Sequence, residues 1–102
     1  MKPLRESSKV NIASKRLVYP SINHNRKILN KVKKALKKDK IRLIGENRFI
    51  GKDIREAAKQ FWMSPRHRSL LLNKNANEIS VIKKATKNGN LIVLTVASST
   101  SI

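Results

Sequence analysis

The chain has 102 residues, with 24 Lys or Arg against 6 Asp or Glu and a formal net charge of +18. A field of that size on a single small domain opposes compaction and attracts polyanions, which puts nucleic acid or an anionic membrane first among partner classes. The lack of cysteine excludes a disulfide framework, a thiolate zinc site and a thiol nucleophile, and no apolar run approaches the roughly 20 residues of a membrane-spanning helix.

Residues 1–20 carry five basic groups against Glu6, lack a clean period and end at Tyr19-Pro20. The residue before a proline is biased to extended geometry. This stretch is expected to be a basic arm, flexible or loosely docked. Its basic, serine-containing composition also fits a mitochondrial transit segment.

From Ser21 to Asp39 the pattern is helical. Ile28, Leu29, Val32, Ala35 and Leu36 form one apolar stripe, and lysines and Arg26 occupy the other side. Ser21, Asn23 and Asn25 can each cap the start. Residues 26–42 hold nine basic groups against Asp39 alone. Residues 40–45 are short, partly alternating and end in glycine, which predicts a strand, with 46–51 as a turn or loop. Asp53 to Phe61 is helical again, with Ile54, Ala57, Ala58 and Phe61 on one face and acids in the first turn. Ser64-Pro65 then opens a third helix to about Asn73, burying Leu70, Leu71 and Leu72. Phe61, Trp62 and Met63 are expected in the core. Glu78 to Ala85 is strand-like, Asn88-Gly89 is a strong hairpin signal, and Leu91 to Ala97 is the more buried strand. Residues 98–102 are expected to fray.

The order of helix, strand, helix, turn, helix, strand, hairpin, strand is that of a winged helix. The stretch IREAAKQFWMSPRHRSLLL, Ile54 to Leu72, resembles the helix-turn-helix pattern of bacterial and phage DNA-binding proteins. Ala58 stands where that family has a small residue at the helix crossing. Met63 and Ser64 stand at the apolar and cap positions before the second helix, and Leu71 at its late apolar position. Trp62 replaces the usual turn glycine, and Arg68 a buried apolar residue.

The resemblance implies a small α+β winged-helix-like domain over 21–97, with the arm before it and the tail after it. It implies a recognition helix at Pro65 that projects Arg66, His67 and Arg68 toward bases and phosphates. Ser64, Lys83, Lys84, Lys87 and Asn88 would contact nucleic acid from the cap and wing. Arg26, Lys27, Lys31, Lys34 and Lys38 would supply backbone charge from the first helix. The expected function is that of a DNA-binding regulator or architectural factor, cytoplasmic or nucleoid-associated. The alternative is an RNA-binding ribosomal or ribonucleoprotein subunit, bound to the ribosome or in the mitochondrial matrix. Double-stranded DNA ranks ahead of structured RNA.

Other chemistries have less behind them. His24 and His67 lie far apart in sequence and bring no Cys or acidic partner, so no metal site is expected. Phe49-Ile50-Gly51-Lys52 is partly similar to the glycine loop of KH domains, but Ile54 stands where the second glycine falls. The scattered acids and the absence of a phosphate-cradling glycine loop argue against an enzyme, and no cofactor is expected. The lysine helix lacks the aromatic residues of a membrane-surface helix.

Overall fold

The computed structural model describes residues 4–99, and these form a small α+β domain. Strand β1 is Arg5–Glu6, helix α1 Ser8–Ser14, followed by a 3-10 turn at Lys15–Leu17 and helix α2 at Arg26–Lys37. Strand β2 (Ile41–Gly51), helices α3 (Ile54–Met63) and α4 (Pro65–Leu71), and strands β3 (Glu78–Thr86) and β4 (Gly89–Ser99) complete the order. The sheet runs β1-β3-β4-β2, with β1 parallel to β3 and the other pairs antiparallel.

Side chains on the central strand β4 alternate between the two faces of the sheet. Leu91, Val93 and Ala97 meet α1 and α2 in one core, and Ile92, Leu94 and Val96 meet α3 and α4 in a second. The two helix pairs therefore cover opposite faces of one sheet. The stripe expected on α2 is present, with Val32 and Leu36 buried and Ile28, Leu29 and Ala35 packed beside them. Each fully buried Val or Leu contributes about 1.5–3 kcal/mol. The helix is shorter than expected at its start. Asn25 is the cap, its side-chain oxygen accepting from the Ile28 N–H at 3.1 Å, while Ser21 Oγ accepts from the Asn23 N–H in a separate turn.

The arm expected over residues 1–20 is built into the domain from Leu4 onward. Val10, Ala13 and Leu17 recur at i, i+3 and i+7 and are buried against α2 and β4, and Ser7 caps α1 by accepting from the Val10 N–H. The loop expected over 46–51 is the second half of β2, paired with β4 as far as Gly51↔Asn90. A register shift between Leu43 and Gly45 bends this strand, and a Cβ on Gly45 would lie 3.0 Å from Leu70 Cδ1 of α4. Ser98 and Ser99 are the end of β4 rather than a frayed tail, with Asn77 bonded to both the N–H and the carbonyl of Ser99. The rest of that tail, 100–102, lies outside the described residues.

The helix pair α3–α4 differs from expectation in its packing. Ala57, not Ala58, is the buried small residue, because Ala58 faces outward. Phe61 is buried as expected, but Trp62 is 51% exposed, Met63 67% and Leu72 42%. Helix α4 ends at Leu71, leaving Leu70 and Leu71 half-buried and Leu72 outside.

Candidate nucleic-acid interface

With its apolar stripe committed to the sheet, α2 must turn its lysines outward. Arg26, Lys27, Lys31, Lys34 and Lys38 are all exposed, as are Lys33 and Lys37. The helix itself carries no acid. The acids elsewhere are largely engaged: Asp39 with Lys9 at 3.6 Å, Glu78 with Arg5 at 3.9 Å, and Glu46 with Arg48 and His24. Asp53 accepts from the Glu56 N–H at 2.9 Å and Glu56 from the Lys52 N–H, so both serve the start of α3. Among the described residues, no ion pair involves Arg26, Lys31, Lys34, Arg66 or Lys83.

Helix α4 presents its expected contacts unequally. Pro65 occupies its first turn. Ser64 has extended cap geometry, yet its hydroxyl makes no capping bond. Arg66 is exposed. His67 turns inward: its ring lies 5.5 Å from that of Phe61, and its carbonyl accepts from Asn47 Nδ2 at 3.2 Å. Arg68 lies over the Trp62 ring, 5.9 Å from its centroid. Half-exposed on a short helix, Arg68 escapes the cost that burial in the body would carry. The hairpin residues also separate. Lys83 opposes Ile92 and Lys84 opposes Leu91, so the two lysines point to opposite faces. Lys87 and Asn88 sit at the exposed turn, where the Asn88 N–H bonds Thr86 Oγ1.

The α2 cations and Arg66 consequently lie on opposite sides of the sheet, with the edge strand β2 between them. Two clefts adjoin that strand. One of about 500 Å³ is lined by His24, Glu46, Asn47, Arg66, His67 and Asn73, among others. Another of about 490 Å³ is lined by Lys33, Lys37, Lys40, Ile41 and Arg42. The first brings Arg66 and His24 beside the acid Glu46, and the second places Lys33, Lys37 and Arg42 around largely apolar surface, so the two border β2 from opposite layers. Lys33 and Lys37 belong to the lysine face that the α2 periodicity gave, whereas the sequence pattern did not single out Arg42 and His24 as binding residues.

The cleft wall at His24 rests on a buried charge cluster. Glu46 and Arg48, two positions apart on one side of β2, have fully buried side chains and meet at 3.1 Å. Arg48 also donates to the carbonyls of Leu17 at 2.7 Å, Tyr19 at 2.8 Å and Ser21 at 2.8 Å. Its guanidinium stacks 3.9 Å from the Tyr19 ring centroid. Burial, reinforced by the Glu46 carboxylate, pushes the Tyr19 phenol above its ordinary value of 10.0, with Arg48 opposing. Glu46 accepts from His24 Nδ1 at 2.7 Å, which fixes the ring and leaves Nε2 of the neutral imidazole as an acceptor toward a ligand's donor, such as a ribose hydroxyl. The sequence signal is a Glu-x-Arg alternation, inside a segment whose polar residues and flanking glycines predict a loop.

Among the described residues no group of three His, Cys, Asp or Glu side chains could hold a metal, and no helix is long and apolar enough to cross a membrane. Comparison with known proteins gives no match to any protein family, curated protein or solved structure.

Proposed function

We propose that this protein binds nucleic acid, and that its partner is a structured RNA that contacts it on several sides. The observation that carries this reading is the placement of exposed cations outside any ion pair on both helical layers, Arg26, Lys31 and Lys34 on one and Arg66 on the other. A duplex reader concentrates its contacts on the face that enters a groove. Here Arg66 and the α2 lysines cannot share one such face, whereas a folded RNA can reach both. The duplex-DNA reading keeps the support of the element order and the Ile54 to Leu72 resemblance. Against it, only Ser64 separates α3 from α4, where a helix-turn-helix has a turn of about 3–4 residues. His67 is also half-buried, with its ring packed beside Phe61.

The test is fluorescence anisotropy with a hairpin RNA and a random DNA duplex of equal length, over a salt titration. The RNA should bind more tightly. Lys31→Ala, Lys34→Ala and Arg66→Ala should each weaken it, each lowering the salt slope by about 1. Duplex preference with sensitivity confined to Arg66, accompanied by base discrimination, would replace this reading with the DNA one.

A further inference from the structure

One surface is built for a different kind of ligand. Ile54, Ala58 and Trp62 recur at i, i+4 and i+8 along the outer side of α3, and all three are exposed. With Leu71 of α4, and with Val81 and Ile92 of the sheet behind them, they line a groove of about 390 Å³ that is almost wholly apolar. Of the six large apolar side chains open to solvent among the described residues, Ile54 and Trp62 line this groove, Met63 and Leu72 lie elsewhere in the α3–α4 region, and Ile12 and Ile22 lie outside it. Aliphatic walls offer no donors to phosphates or base edges, so nucleic acid does not account for this groove. Contiguous exposed apolar surface rimmed by charge marks a protein-binding site.

The rim identifies the occupant. Arg55 and Lys59 flank Ala58 on α3, Arg68 lies over Trp62, and Lys83 follows Val81 on the same side of β3. Asp53 and Glu56, the nearby acids, make no ion pair with this rim among the described residues, and their carboxylates accept from backbone N–H groups at the α3 start. A second copy of a chain carrying +18 would bring a like-charged rim against this one. The geometry points to a docking site for an acidic amphipathic helix of a partner protein, with apolar anchors at i, i+3, i+4 and i+7 in the groove and carboxylates over the rim.

Trp62 is the sole tryptophan and stands at the groove edge, so its fluorescence reports occupancy. The probe is a synthetic helical peptide with Leu at i, i+3, i+4 and i+7 and Glu at most other positions. It should give a saturable blue shift of Trp62 emission that weakens with salt. Ala58→Arg fills the groove from an exposed helix position; circular dichroism should show an unchanged fold, and affinity should fall about tenfold or more. A Lys version of the peptide should not bind. Absence of a saturable shift overturns the proposal, as does equal binding by a peptide of the same composition with its leucines scattered. Reversible dimerisation abolished by Ala58→Arg would assign the groove to a second copy. Displacement of the peptide by hairpin RNA through a direct effect on Trp62 would return the groove to the nucleic-acid interface. Ala58 lies apart from Lys31, Lys34 and Arg66, so Ala58→Arg should not lower RNA affinity, and this test can fail without touching the RNA reading.

Discussion

Replacing Arg48 with Met keeps most of the side-chain volume and removes the charge and its donors. Four hydrogen bonds disappear at once: those to Leu17, Tyr19, Ser21 and Glu46. The Leu17 and Ser21 carbonyls lose their side-chain donor, and the Glu46 carboxylate, fully buried, is left with His24 alone. Removing one partner of such a pair costs about 3–5 kcal/mol, because an uncompensated charge stays behind. A domain of this size is stable by about 5–15 kcal/mol in total. Arg48→Met should therefore consume a large share of the stability and lower Tm by about 15–25 °C, at about 5 °C per kcal/mol. Urea denaturation followed by circular dichroism gives the free energy. Hydrogen exchange should show protection lost first between Leu17 and Asn25, the segment that Arg48 fastens to β2. The double variant Glu46→Leu/Arg48→Met should be more stable than Arg48→Met alone, since it removes the stranded carboxylate. A loss below about 1 kcal/mol for Arg48→Met, or a double variant less stable than the single, would refute the reasoning that uncompensated burial dominates here.

Gly89 follows the hairpin turn at φ +131°, and a Cβ there would lie 2.9 Å from the Gly51 carbonyl oxygen. Gly89→Ala should cost about 2–3 kcal/mol, read as a fall in urea midpoint, and a change near zero would mean the hairpin can relax. Asn25→Ala removes the α2 cap and should cost about 1 kcal/mol in the same assay. The raised Tyr19 phenol has a pH signature. The folded state holds that proton more tightly than the unfolded chain, so the contribution is complete below about pH 10 and is lost as pH climbs through the higher folded value. Tyr19→Phe should flatten the alkaline fall in Tm relative to the parent protein while losing the hydroxyl bond to the Asn23 carbonyl. Parallel curves for the two proteins would refute the assignment.

The elements governed by neighbouring residues were legible in the sequence. The α2 stripe, the acid-capped start of α3, Pro65 at the start of α4, and the Asn88-Gly89 hairpin with its apolar return strand all rest on interactions spanning a few positions. The exposed cations Arg26, Lys27 and Lys31 followed from the same periodicity, and Arg66 from the helix-turn-helix resemblance. Helix α1 was also present in the spacing of Val10, Ala13 and Leu17, but its basic surroundings masked it. The inward turn of His67 and the outward turn of Trp62 carried no local signal, because both depend on how α3 and α4 seat on the sheet.

Composition and periodicity thus determined a basic α+β chain with α2, α3, α4, β3 and β4 and an outward lysine face. Tertiary structure decided the relations among them. It placed the helix pairs on opposite faces of the sheet, extended β2 through an apparently polar loop, and set β2 between two cationic surfaces. The physical reason is range. A Glu-Arg alternation looks like a solvated loop until carbonyls from 27 to 31 residues away arrive to satisfy the guanidinium. Only then does burying two charges in a strand become affordable, and only the folded chain brings those carbonyls there.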